Sequence, residues 1–123
     1  MIAISVAGGD LRDQTTLNVL LNHIEFGMMP ADAGTAPRFD TSHQQNSFNP
    51  VPDRQEAFVA AGSLRLNDDV PKAVREELAV RGHTIDTTDG PIGHPVMFLI
   101  DHETGVIHAA GDPDARRHAA AID

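Results

Sequence analysis

A strand, a glycine pair and an amphipathic helix follow one another at the start of this chain, and that succession restricts the first 26 residues to a strand-turn-helix unit. Ile2, Ile4 and Val6 alternate with smaller residues, so residues 2 to 7 read as a strand. Leu17, Leu20, Leu21 and Ile24 recur at helical spacing, so residues 13 to 26 read as a helix that buries this apolar stripe. Gly8 and Gly9 lie between the two. Paired glycines at such a junction leave backbone N–H groups uncovered by any Cβ, and the helix N-terminus adds the positive end of its dipole. The pair therefore reads either as a tight turn or as a cradle for an oxyanion. Asp10 follows, suited either to cap the helix or to line such a site.

Composition narrows the classes open to the rest. The chain of 123 residues is a single domain's worth, 1 to 123, with 41% hydrophobic residues for a modest core. Acidic residues outnumber basic ones 18 to 9, for a net charge of -9, and they are scattered. No segment supplies the basic patch that nucleic acid or an anionic membrane surface requires, so neither is an expected partner. The absence of cysteine removes disulfides and thiolate chemistry. The N-terminus lacks a positively charged region ahead of its apolar residues, and the longest apolar run, Pro95 to Ile100, is too short to span a bilayer. The expectation is a soluble chain with no signal peptide, cytoplasmic as it stands. Seven histidines raise the question of a metal-dependent hydrolase, but none sits in a metal-ligand spacing, and no cofactor is expected.

Further along, Gly27 is placed to end the first helix, Pro30 opens a short helical turn, and Ala36 to Phe39 reads as extended. Met28 and Met29 read as core filler. Residues 40 to 57 form a long polar stretch that Phe48 and Phe58 are expected to anchor; Asn46 and Ser47 are candidates to line a pocket. Ser63 to Leu66 alternates as a strand. A helix follows to Arg81, capped by Asp68 or Asp69, with Val70, Val74 and Leu78 as its buried stripe and Gly82 as its end. His83 to Thr87 is a strand candidate. Pro95 to Ile100 and Val106 to Ala110 flank Asp101-His-Glu-Thr-Gly105 as a hairpin of two central strands, and Asp114 to Ile122 reads as a last short helix or turn. Arg38 is suited to an ion pair with Asp112. The order of elements gives an α+β fold with mostly antiparallel pairing.

The run GGD-x3-Q-x2-LNVLLNHIEFGM, then APRF, RGH, DHETG and GDP in succession, resembles the C-terminal part of the small subunit of the gamma-glutamyltransferase (gamma-glutamyltranspeptidase) family, over essentially the whole chain. The resemblance implies part of an N-terminal-nucleophile hydrolase, an αββα sandwich formed when a precursor cleaves itself into two subunits. It implies an N-terminal threonine that attacks a gamma-glutamyl amide through an acyl-enzyme, with Gly8 and Gly9 as the oxyanion hole.

Several features depart from the family pattern. No segment resembles the nucleophile region, and Thr15 and Thr16 fall inside the helix pattern. The stretch Gly111-Asp-Pro-Asp-Ala-Arg carries two extra residues. The implied partners are the large subunit, the N-terminal portion of the small subunit and a gamma-glutamyl substrate, the chain being inactive alone. The alternative is a non-catalytic domain of that fold that pairs with a partner or with itself as a homo-oligomer.

Overall fold

The computed structural model describes residues 1–43, 47, 48, 51–53 and 55–120. Its elements run β1 (Ile2–Ala7), α1 (Leu11–Ile24), α2 (Pro30–Thr35), β2 (Phe39–Asp40), β3 (Ser63–Asn67), α3 (Lys72–Val80), β4 (Thr84–Thr88), β5 (His94–Ile100) and β6 (Ile107–Gly111). They divide into two compact units, Met1–Ala36 with Gly93–Asp123, and Pro37–Ile92.

The first unit is an antiparallel sheet in the order β1-β5-β6, packed against α1 and α2. Register sets Ile2 beside Leu99, Ile4 beside Met97 and Val6 beside Pro95, so the alternation seen in the sequence puts one apolar row toward the helices. Val19 of α1, Ala33 of α2 and Met97 of β5 are fully buried there, with Ile2, Ile4 and Met28 against them. Met29 points outward at 40% exposure, so only one of the two methionines fills the core.

The face that α1 buries is not the expected one. Thr15 and Val19 face inward, whereas Leu17 is 53%, Leu21 41% and Ile24 58% exposed. Gly93, at φ +76°, packs against that inward face, where an added Cβ would come within 2.6 Å of Thr15 Cγ2. That approach leaves room for nothing larger than threonine at position 15; Leu20 is half-buried, and Leu17 and Leu21 point outward. Gly27, at φ +67°, then reverses the chain, its N–H donating to the His23 carbonyl at 3.0 Å.

The hairpin forms as its turn residues dictate. Asp101 Oδ1 accepts the Glu103 N–H at 2.9 Å, its Oδ2 accepts the Thr104 hydroxyl at 2.7 Å, and Gly105 turns at φ +75°. Of the two strands, β5 is central and β6 lies at the edge, a correction to the expectation of two central strands. After β6 the described residues form a turn, one of the two forms expected there. Asp112 Oδ1 accepts the N–H groups of Asp114 (3.0 Å) and Ala115 (3.3 Å), and Arg116 at φ +56° ends the turn after a single loop.

The second unit is a mixed sheet in the order β2-β3-β4, with β2-β3 antiparallel and β3-β4 parallel across α3. Leu64, Leu66 and Ile92 are buried. Asn67 ties the unit together: its Oδ1 accepts the Arg38 N–H at 2.7 Å and its Nδ2 donates to the Gly90 carbonyl at 2.9 Å. Arg65 holds the carboxylate of its cross-strand partner Asp40 through both Nε and Nη2. The helix α3 starts at Lys72 with Pro71 in the cap position and no side-chain cap, because Asp68 and Asp69 stand too far upstream in the preceding turn. It contains no buried residue, and Val74 is 46% exposed, so the expected stripe does not form a core. Phe48 and Phe58 are exposed at 78% and 57%; the stretch they were expected to anchor is tied instead by bonds from Val59 N–H to the His43 carbonyl and from Ser42 N–H to Ser63 Oγ.

Candidate functional site

The antiparallel ladder carries β1 as far as Ala7, which pairs with His94, and there the strand must give way to α1. Gly8 makes the turn at φ +129°, a conformation L side chains rarely adopt, and a Cβ built there meets nothing within 4 Å. Glycine is needed at this position for its backbone, and the space in front of it is open. The Gly8 carbonyl accepts from Arg12 Nη2 at 2.8 Å and Nε at 3.2 Å, while the Gly9 carbonyl accepts the Arg12 N–H at 3.0 Å. Both carbonyls are therefore drawn back toward the first turn of α1. Among the described residues, neither N–H of the pair has an acceptor in the loop and cap hydrogen bonds. These two donors stand beside the positive end of the α1 dipole and the Arg12 guanidinium, a setting that favours an anion.

Asp10 occupies the N-cap position with helical angles, φ -62° and ψ -23°, and makes no side-chain capping bond. Its expected capping role is thereby overturned: a cap residue accepts from the first-turn N–H groups out of an extended backbone, and Asp10 is already inside the helical region. It is exposed next to Gly9.

Sequence reasoning missed two neighbours. Arg12 is a cation in the first turn of a helix, where the dipole disfavours it, and that misplaced charge was the available signal. His94, exposed at the start of β5, donates from Nδ1 to the Ala115 carbonyl at 3.2 Å with the Nδ1–H tautomer. Only the strand register brings it beside Ala7, so no local pattern marked it. Asn46 lies outside the described residues, and Ser47 is exposed in the second unit. Arg38 and Asp112 are buried at 2% and 3% exposure in separate units, where Arg38 Nε donates to the Ile92 carbonyl at 2.7 Å. Thr15 lies at 1% exposure within α1. Among the described residues no group of three or more His, Asp or Glu side chains converges to hold a metal ion, and no helix is long and apolar enough to cross a membrane.

The family profile for Gamma-glutamyltranspeptidase matches residues 1–122. The chain belongs to the gamma-glutamyltranspeptidase family. A Glutathione hydrolase proenzyme of Bacillus subtilis (strain 168) is 32% identical over 122 residues, covering 99% of this chain and 18% of the relative. Among solved structures, gamma-glutamyltranspeptidase from Pseudomonas nitroreducens superposes with a TM-score of 0.73 at 16% identity, over 99% of this chain and 55% of that one. The transpeptidase CapD of Bacillus anthracis superposes with the same TM-score, 0.73, at 18% identity, over 99% of this chain and 63% of that one. The fold is accordingly the α+β arrangement of part of an N-terminal-nucleophile hydrolase. This chain spans less than a fifth of the curated relative it matches.

Proposed function

We propose that this chain acts as the C-terminal segment of a gamma-glutamyltransferase-like enzyme, in which Gly8 and Gly9 supply the oxyanion hole. The observation that carries the reading is the Gly8-Gly9 turn. Its carbonyls accept from Arg12, its two N–H groups have no acceptor among the loop and cap hydrogen bonds of the described residues, and a Cβ built on Gly8 would meet nothing within 4 Å. Donors fixed in advance cost no reorganisation when charge develops, and they stabilise a tetrahedral oxyanion more than the carbonyl it comes from.

In this reading the threonine nucleophile comes from outside the 123 residues. Its Oγ adds to the gamma-glutamyl carbonyl carbon while its own amine takes the hydroxyl proton. The negative charge gathers on the former carbonyl oxygen, within reach of the Gly8 and Gly9 N–H groups. Collapse breaks the C–N bond, the proton passes to the departing amine, and an ester remains. Water or an acceptor amine then attacks that ester and regenerates the threonine. Arg12 positions Gly8, and Asp10, exposed beside Gly9, contacts the substrate. The large subunit and the N-terminal portion of the small subunit are the partners, and the chain is silent without them.

One observation favours the second reading, a non-catalytic domain that assembles with a partner or with itself: the outward stripe Leu17, Leu21 and Ile24 on α1. Hydrolysis of a gamma-glutamyl amide separates the two. The purified chain is expected to show none alone and to gain it when the missing portion is supplied as a separate polypeptide. Gly8→Ala in the reconstituted enzyme should lower kcat by about 100-fold or more while assembly persists. Activity of the chain alone, or assembly that never yields activity, rejects the catalytic reading.

A further inference from the structure

We propose that Arg116 binds a carboxylate on the amine side of the scissile bond, so that gamma-glutamyl amides of amino acids and peptides are favoured over those of neutral amines. The proposal rests on the reading that this chain works as part of a gamma-glutamyltransferase-like enzyme.

Positive charge is scarce in this chain, with 9 basic residues against 18 acidic ones. The first unit holds Arg12, Arg116 and Arg117 and no lysine. In the second unit Arg65, Lys72 and Arg81 each pair with a carboxylate, that of Asp40, Glu76 and Glu77 in turn. Arg12, Arg116 and Arg117 pair with none among the described residues. Arg12 is occupied by the Gly8 carbonyl, Arg117 is half-buried, and Arg116 is exposed. A guanidinium left unpaired among so many carboxylates is open to an anion from outside the chain.

The backbone brings Arg116 to the end of the sheet where the glycine pair lies. Val6 and Pro95 form a cross-strand pair buried toward the helices, so the next pair, Ala7 and His94, faces the opposite side of the sheet. Gly111 and Val96 form a pair on that same opposite side. The turn after β6 folds onto this side at two points. His94 Nδ1 donates to the Ala115 carbonyl at 3.2 Å, and a Cβ added to Gly111 would come within 2.6 Å of the Arg117 carbonyl. One histidine side chain therefore separates the peptide that joins Ala115 to Arg116 from the strand pair that runs into Gly8.

The turn is also fixed from within. Asp112 Oδ1 holds the Asp114 and Ala115 N–H groups, the Arg116 N–H donates to the Pro113 carbonyl at 2.9 Å, and the Arg117 N–H donates to the Asp112 carbonyl at 2.9 Å. Arg116 is left at φ +56°, the one non-glycine residue at positive φ among those described. A left-handed backbone under a long side chain costs free energy that glycine would avoid, and such costs gather where a side chain is used. Being exposed, Arg116 is not kept there to fill a core.

Opposite charges on the two sides of the glycine pair orient the substrate. The chain leaves Gly9 through Asp10 into α1, on the helix side of the sheet, whereas Arg116 stands on the other side, beyond Ala7 and His94. A gamma-glutamyl group carries an ammonium that Asp10 attracts and Arg116 repels. With the carbonyl oxygen at Gly8 and Gly9, the acyl part then extends toward Asp10 and the amine part toward Arg116. An amino acid or peptide amine brings a carboxylate to that side, where a planar guanidinium can bond both of its oxygens.

The test compares two donors in the reconstituted enzyme, a gamma-glutamyl anilide and the same anilide carrying a ring carboxylate. Arg116→Gln should lower the kcat/KM preference for the carboxylated donor by about tenfold, with the change in KM, and Arg116→Lys should keep part of the preference. Arg116→Gly relieves the left-handed strain, so it should lose the preference as fully as Arg116→Gln with its melting temperature kept. Arg81→Gln removes the same charge from the second unit and should leave the preference unchanged. A second readout needs no turnover: in the 123-residue chain the Arg116 Nε–H signal should shift on titration with glycylglycine and stay in place with glycylglycinamide. An unchanged preference in Arg116→Gln, or an equal loss on both donors, overturns the proposal and keeps the catalytic reading; the equal loss would assign Arg116 to the gamma-glutamyl carboxylate or to the turn alone. A mixture without turnover rejects the catalytic reading instead. The titration then decides, a shift with glycylglycine alone supporting carboxylate recognition by Arg116 and no shift overturning it.

Discussion

The two sheets of this molecule have the same number of strands and are held by different physics. The β1-β5-β6 sheet buries an apolar row that includes Met97 against Val19 and Ala33, has β6 as an edge among the described residues, and passes from β1 into the glycine turn. The β2-β3-β4 sheet is fastened by Asn67, by buried Arg38 and by the Arg65-Asp40 pair, and its helix α3 buries nothing completely. Burial contributes to both, through Leu64, Leu66 and Ile92 in the second, but directional polar bonds between strands and loops carry more of the second. The candidate site falls in the first unit, at the end of β1.

Met97→Ala should break the contrast most strongly. It empties the centre of the apolar cluster and should cost about 2–5 kcal/mol in chemical denaturation. We propose that the 123 residues fold as one domain; the loss should then shift a single transition followed equally by probes in both sheets. A transition confined to the β1-β5-β6 amides would make the units independent. Gly93→Ala comes next, because its Cβ would strike Thr15 and its φ of +76° disfavours any side chain. The cost should be about 2–4 kcal/mol, and Thr15→Ala in the same chain should recover the steric share while leaving the backbone share.

That pair of residues also shows where sequence reading stops. Strand β1, the hairpin turn and the strand-to-helix glycines are legible because each is fixed by local rules: alternation, Asx chemistry and freedom at positive φ. The buried face of α1 is not legible. Periodicity proposes the leucines, but a contact 78 residues away, Gly93 on Thr15, selects Thr15 and Val19 instead. The same holds for His94 beside Ala7, which only the register of distant strands creates, and for β6 as an edge, since a strand's pattern does not say what lies beyond it. In the candidate site the glycines were legible, whereas Asp10 kept its place and lost its capping role because the backbone entered the helix one residue early.

Arg65→Ala probes the polar sheet. It leaves the Asp40 carboxylate buried at 6% exposure without its two donors, and should cost about 1–3 kcal/mol. The hydrogen bond to Asp40 raises the Arg65 guanidinium above its ordinary value, with the Asp40 and Asp86 charges adding to it against the cost of burial. A raised cationic pKa stabilises at all pH below the unfolded value, so this contribution should not fade across the neutral range. Asp40→Ala together with Arg65→Ala should restore part of the loss, since both the buried charge and its donor are gone. A double variant no better than Arg65→Ala would show that the pair's packing, rather than its charge, holds β2 to β3.

Asp101 offers the smallest and most local change, in the apolar sheet. The Thr104 hydroxyl, then the Glu103 N–H, bond its carboxylate and hold it below its ordinary value, with the Thr104 N–H and the His108 charge adding to this. A depressed carboxylate stabilises the folded state above its unfolded pKa and loses that contribution as pH falls through the folded one. The protection of the Glu103, Thr104 and Gly105 amides, relative to their intrinsic exchange rates at each pH, should therefore fall on acidification, while the Arg65-Asp40 bonds of the other sheet are read separately. Asp101→Asn keeps an acceptor without the titration, so it should flatten the pH response of the turn and leave the sheet register unchanged. An unchanged pH response in Asp101→Asn would assign the effect to another group. A response that spreads to Ile107 and Ala109 would mean that the turn, and not only the β5 ladder, holds the open edge in position.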